Sequence, residues 1–387
     1  MKRIHSIDIT RGIVMIIMAL DHVRDLMHVN SISQSPTNLD TTTPFLFFTR
    51  WITYLCAPIF VFLAGSSAFI SLKRENDIEA TKKHLFKRGL SLIILEFTIV
   101  NFGLYFDPGF HTLLFEVIAS TGFGLIILSL LIRVPAKRIG FIGLGILCLH
   151  NLAPLVPFSE NSLLKTILMP FFSPASFPVF SGKVFIVGYP PIPWLGILFL
   201  GYAVGHFFEI PEHRRNQLFK KMGIIFIVSF IILRFINFYG DSAPWASQQK
   251  LSLSIMSFLN ITKYPPSLLF CLATLGILFF ILAYSENFNN KIKSISSVYG
   301  KVPLFYFIVH FYLVHLVTIT MLFLQGFHWE QLEFSSGTFG RPKGIESGLP
   351  LWEVYIIWIS VVALLYRPCV WFGKYKYEKK FWWLKYF

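Results

Sequence analysis

Charge is scarce in this chain. Asp, Glu, Lys and Arg make up only 14% of its 387 residues, whereas soluble domains carry roughly 25%. A polypeptide so poor in charge does not cover itself with a soluble surface, which excludes a string of soluble domains. Acid is the scarcer sign, with 20 Asp and Glu against 34 Lys and Arg. Nucleic-acid binding is not needed to explain that excess, because no recognition motif accompanies it. Cysteine is also sparse. Cys56, Cys148, Cys271 and Cys369 each lie in or beside an apolar run, with no two at metal-ligand spacing. That argues against disulfides and a zinc site and for small core residues; no metal is expected. A small-residue cleavage site is missing too. The first apolar run ends in charged residues, so the first helix is expected to be retained.

What is abundant is hydrocarbon. Hydrophobic residues reach 55%, Phe alone occurs 43 times, and the mean hydropathy is +0.62. Apolar runs of about 20 residues, the length that crosses ~30 Å of hydrocarbon, recur along the chain. The expected fold class is all-α: one polytopic transmembrane domain over residues 1–387, with ten spans near 11–28, 51–72, 88–105, 112–133, 139–157, 184–207, 221–238, 264–285, 301–325 and 351–371. With the N-terminus in the cytoplasm, the inner segments hold 23 Lys and Arg and the outer segments seven. The positive-inside rule therefore puts both termini in the cytoplasm of a multi-pass cell-membrane protein, the inner membrane if the cell is Gram-negative. The outer loops 29–50, 158–183, 239–263 and 326–350 are the longer ones, rich in Ser, Thr, Asn, Pro and Gly. Elaborated loops on one face suggest that something is bound there. A weak internal echo joins Tyr189-Pro190-Pro191 to Tyr264-Pro265-Pro266, each followed by a Gly at the same offset; two independent helix starts explain it more simply than a repeat.

The first span breaks the apolar pattern. In RGIVMIIMALDHVRDLMH, residues 11–28, five ionisable groups crowd between Asp21 and His28. Arg11 and His22 are eleven residues apart, three turns plus about 20°, so they share a helix face, with His22 about 16 Å deeper. Asp25, one turn on, lies within reach of His22. Ionisable groups at such depth face a bundle interior and usually mark function. His22 suits a proton carrier, with Asp25 to orient it and raise its basicity. A polar ring that pins the helix at the interface accounts equally well for Arg24, Asp25 and His28.

The opening Arg3-Ile4-His5-Ser6-Ile7-Asp8-Ile9-Thr10-Arg11-Gly12, followed by an apolar run and Asp21-His22, resembles the start of transmembrane acyltransferases, above all bacterial relatives of heparan-α-glucosaminide N-acetyltransferase. APIFVFLAGSSAF (57–69), YPPIPWLGILFLGYAVG (189–205), YPPSLLFCLATLG (264–276) and GKVPLFYFIVHFYLVH (300–315) carry the resemblance along most of the chain. The Arg-to-His spacing is also similar to the acyltransferase-3 family, in which that His is taken as catalytic. The resemblance implies transfer of an acyl group, acetyl above all, from cytoplasmic acetyl-CoA to a sugar or glycan acceptor on the far side. In the heparan enzyme an Asn stands at the place of His22 and the catalytic His comes further along. His28 is then the nearest counterpart, and the choice between His22 and His28 stays open, as does an acyl-enzyme against direct transfer.

Acyl transfer needs a base or nucleophile and a cationic mouth for the donor's phosphates. His22, Asp25, His28 and His310 are the candidate catalytic residues; Arg11, Arg88 and Lys301 are the candidates for binding acyl-CoA. His315, five residues after His310, points 140° away from it. Glu96 and Glu116 fit bundle contacts better than pairing with the histidines or Arg11, and Arg234 suits a snorkelling role. The expected partners are acyl-CoA, the acceptor and the lipid bilayer, with homo-oligomer formation left open. Two other classes compete: a proton-coupled secondary transporter, using the same Asp and His as a relay through helices broken near the midplane, and a non-catalytic scaffold, which has no use for a deep His22.

Overall fold

The computed structural model describes residues 4–157, 162–179, 182–335, 337–379 and 381–386. Fifteen α-helices are described: α1 His5–Met27, α2 Pro44–Thr53, α3 Cys56–Glu75, α4 Ile78–Leu95, α5 Asn101–Tyr105, α6 Val117–Leu130, α7 Ala136–Leu149, α8 Leu163–Leu168, α9 Pro191–Val204, α10 Glu212–Ile236, α11 Leu251–Leu259, α12 Leu268–Tyr284, α13 Asn290–Lys301, α14 Pro303–Leu324 and α15 Leu351–Glu378. A π-helical turn, Glu96–Val100, joins α4 to α5. The all-α expectation holds, with one small addition. Strands β1 Thr112–Phe115, β2 Ala175–Pro178 and β3 Val184–Val187 form a sheet in the order β1-β3-β2.

Among the described residues, six helical stretches are long and apolar enough to cross a membrane: Pro44–Glu75, Ala136–Leu155, Pro191–Glu209, Leu268–Asn287, Pro303–Leu324 and Leu351–Glu378, with Val117–Leu130 shorter. Ten were expected. The expected spans at 11–28, 88–105 and 221–238 are helical, but the helices that contain them carry more charge. Two expected starts were wrong: 112–116 and 184–187 are extended, because the β-branched and aromatic run VFIV pairs with TLLF in parallel. The run 51–72 is also interrupted at Tyr54–Leu55, where α2 ends and α3 starts.

α1 lies in the interior. Sixteen of its 23 residues are buried, and it packs on α2, α3, α12, α13, α14 and α15. A helix enclosed by protein rather than lipid can hold ionisable groups where a lipid-facing one cannot. Its contact with α13 is backbone to backbone: a Cβ on Gly12 would stand 1.7 Å from the Ser296 carbonyl oxygen, and one on Gly300 would stand 1.8 Å from that of Asp8. Neither carbonyl can rotate away as a side chain would. Gly300→Ala is therefore expected to destabilise the protein by about 3 kcal/mol, the upper end for overpacking, read as a lowered melting temperature in detergent. An unchanged melt would show that α1 and α13 can separate at no cost.

Candidate active site

Two cavities lie at opposite ends of α1. The first, about 330 Å³, has Arg11, His84, Arg88, Lys301 and Lys376 in its lining, with Asp8 as its one acid. These come from α1, α4, the end of α13 and the end of α15. Arg11 is tethered, its Nη2 donating to the Leu63 carbonyl at 3.2 Å and to Ser67 Oγ. Arg88 Nε is buried with no hydrogen-bond partner. A buried guanidinium N–H left unpaired beside an open chamber is what an anionic ligand would satisfy. All three cations expected to hold the donor thus meet in one place, joined by His84 and Lys376, which the sequence did not single out.

The second cavity, about 140 Å³, holds Asp21, His22, Asp25, Arg50, Glu116, Tyr189, Lys263 and Tyr264 in its lining. His22 Nδ1 lies 2.5 Å from His310 Nε2, and the ring centroids are 4.8 Å apart with planes inclined by 23°, so the imidazoles meet edge to edge. His310 Nδ1 lies 3.1 Å from the Tyr306 carbonyl oxygen. Since a carbonyl only accepts, the hydrogens are assigned by their partners. His310 Nδ1–H donates to Tyr306, His310 Nε2 accepts from His22 Nδ1–H, and His22 Nε2 keeps its lone pair. The ring of Phe311 stacks on His22 at 4.3 Å, and His310 is fully buried. His22 is thereby locked in one tautomer and orientation.

The orienting partner expected for His22 was Asp25. That is corrected: Asp25 Oδ1 accepts from Arg24 Nη2 at 2.5 Å, and the partner of His22 comes from α14. Spacing on one helix surface could place Asp25 near His22 but could not show that a side chain from another helix fills the place. Asp21 accepts from Arg50 Nη1 at 2.6 Å, from Arg24 Nη2 at 2.7 Å and from Thr53 Oγ1 at 2.8 Å, pinning the end of α1 to α2. His28 is not brought to this cavity. It borders a different small hollow with residues 30–46, and its carbonyl accepts from Arg341 Nη1 at 2.8 Å. His315 stacks on Phe106 at 4.2 Å, away from both cavities. Glu96 pairs with neither the histidines nor Arg11: its Oε2 accepts from the Ala119 N–H at 2.9 Å, satisfying the open first turn of α6. Glu116 does reach the cavity.

Arg234 does not snorkel. It is 1% exposed and donates to the carbonyls of Phe258, Ala243, Ser257 and Asn260, using its fork to fold the loop that ends at Lys263. Arg341 does the same for the loop beside α1, donating to the carbonyls of His28 and Val29 and to Ser31 Oγ. Lys263, presented by the Arg234 loop, stands over the rings of Tyr264 at 5.0 Å and Tyr189 at 5.9 Å. Those two tyrosines are the Tyr-Pro-Pro echo. Their hydroxyls are 3.3 Å apart and their rings 5.2 Å, so the repeated motif builds one wall of the cavity from the segments that lead into α9 and α12. That echo was the sequence signal for this wall; Arg50 and Lys263 left none.

A comparison with known families decides the kinship. Residues 3–239 match the model of the heparan-alpha-glucosaminide N-acetyltransferase catalytic region. The chain belongs to this family. Membership supports an acetyltransferase-type function, as the resemblance implied. The matched region holds Arg11, His22, Arg88 and Glu116, whereas Lys263, Lys301 and His310 lie beyond it. A search of curated proteins finds no match. Among the described residues, no group of three or more His, Cys, Asp or Glu is placed to hold a metal ion.

Proposed function

We propose that the chain is a membrane-embedded N-acetyltransferase that takes acetyl-CoA from the cytoplasm into the basic cavity and acetylates a sugar or glycan acceptor in the cavity lined by His22, with both termini in the cytoplasm of a cell-membrane protein. The observation that carries this reading is His22 lining one cavity with His310 bonded behind it, and a cationic cavity at the other end of α1. Arg11, Arg88 and Lys301, helped by Lys376 and His84, would hold the donor's phosphates. At the other cavity His22 Nε2 accepts the proton of the acceptor's N–H or O–H as its nitrogen or oxygen bonds to the acetyl carbon. The C–S bond breaks, and the proton passes from His22 to the departing sulfur. His310 shares the positive charge on His22 through the Nδ1–H···Nε2 hydrogen bond, and the dipole of the Tyr306 carbonyl, which accepts from His310 Nδ1–H, stabilises it. Asp25 and Glu116 line the same cavity and suit an ammonium-bearing acceptor. The proton-relay transporter loses ground here, because α1 and α14 run unbroken past the histidine pair.

The test is consumption of acetyl-CoA by purified protein in detergent with an amino-sugar acceptor and no ion gradient. Purified protein that neither binds nor consumes acetyl-CoA would overturn the reading. For the orientation, reporter fusions at residue 35, in the outer loop, and at residue 78, at the start of α4, should report opposite sides; a shared side would break the topology.

A further inference from the structure

Phe60, Val117 and Phe307 line both cavities. They come from α3, the first residue of α6 and α14, far apart in sequence, and they meet where the two chambers approach. None offers a polar atom. On the basic side they continue an apolar floor that includes Met15, Leu92 and Leu125. On the other side the ring of Phe307 stands edge-on to His22, with centroids 6.4 Å apart and planes at 85°, and edge-on to Phe311 at 5.1 Å. A group that passes from the cationic chamber to the histidine pair has to pass these three side chains.

We propose that Phe60, Val117 and Phe307 form the wall that measures the acyl chain, admitting acetyl to His22 and turning longer acyl groups away. The proposal rests on the acetyltransferase reading above. Its physical basis is space. The outer cavity, at about 140 Å³, must hold the reacting end of the acceptor, so an acyl tail beyond a methyl group has to displace the ring of Phe60 or Phe307. The donor chamber, at about 330 Å³, sets no such limit. Phe307 is held by Phe311 and by the His22–His310 pair, so this part of the wall shares α14 with the partner of the base, His310, and it resists being pushed aside. A single methylene in an apolar slot discriminates by about 10–200-fold, so three such side chains suffice to separate acetyl from butyryl.

The experiment compares transfer from acetyl-CoA and butyryl-CoA to one amino-sugar acceptor, in wild type and in Phe60→Ala and Phe307→Ala. The ratio of butyryl to acetyl transfer is the readout, because it cancels any overall loss of activity. Each variant should raise that ratio by about 10-fold or more. If either alanine variant fails a thermal melt, Phe60→Leu or Phe307→Leu replaces it, with a smaller rise expected. Val117→Phe should act in the opposite sense, slowing acetyl transfer and lowering the ratio of butyryl to acetyl transfer below that of wild type. An unchanged ratio in folded variants of both phenylalanines would overturn the proposal while wild type still turned over acetyl-CoA. Wild-type protein that neither binds nor consumes acetyl-CoA would instead remove the acetyltransferase reading itself.

Discussion

His22→Ala is expected to lower acetyl transfer by about 100-fold or more, the scale set by loss of a general base, while the protein stays folded. The reason lies in the hydrogen-bond chain. His22 Nε2 carries the only lone pair left free once His310 has accepted from His22 Nδ1 and donated to Tyr306. His310→Ala should cost about 10-fold or more, because it leaves the tautomer of His22 undetermined without removing the base. His310→Gln should recover part of that loss, since its side-chain oxygen can accept from His22 Nδ1–H; a merely structural role would not be rescued this way. Residues that act as a unit are non-additive, so the double alanine variant should be little worse than His22→Ala alone. Asp25→Asn should cost less than either, because Arg24 and not His22 is its partner. His28→Ala is the counter-test: if it abolishes transfer while His22→Ala does not, the catalytic histidine lies outside the cavity described. The measurement is initial rate against acetyl-CoA, beside a thermal melt of each variant.

Reversing charge at the donor mouth should act on binding instead. Arg88→Glu and Lys301→Glu are each expected to raise the KM for acetyl-CoA by about 10-fold or more, which corresponds to losing a hydrogen bond to a charged group worth about 1.5–3 kcal/mol. Both side chains line the basic cavity. Lys165→Glu, on α8 and outside the lining of the basic cavity, should leave KM unchanged. Raising the salt concentration should weaken donor binding in wild type and do so less in the variants, because phosphate contacts near solvent are screened. A KM that responds only to Lys165→Glu would place the donor on the opposite side.

Much of this was legible because membranes write simple rules into sequence. Runs of apolar residues predicted helices, and α3, α12 and α14 lie within a few residues of the expected spans, while α15 starts where it was expected. Charged residues in the first span predicted an interior helix, and α1 is one. The Arg11–His22 face was also sound, since the two side chains border cavities that share lining residues. The errors have a common form. Val184–Val187 is as apolar as a helix start, and only the presence of Thr112–Phe115 beside it makes it a strand. Arg234 near a helix end looks like a snorkelling side chain until four carbonyls of a distant loop surround it.

By itself, then, the sequence determined the solvent and the scale of the problem: a low charge density demands lipid, helical periodicity is local, and the eleven-residue spacing in α1 needs no other part of the chain. Only the tertiary structure decided which residue serves His22. Asp25 is three residues away and His310 is 288, yet the nearer one belongs to Arg24 and the distant one sits 2.5 Å away. Contacts within a helix follow from its pitch. Contacts between helices follow from how every other helix packs, and close approaches such as Gly12 on Ser296 and Gly300 on Asp8 settle that with no periodic signal in the chain.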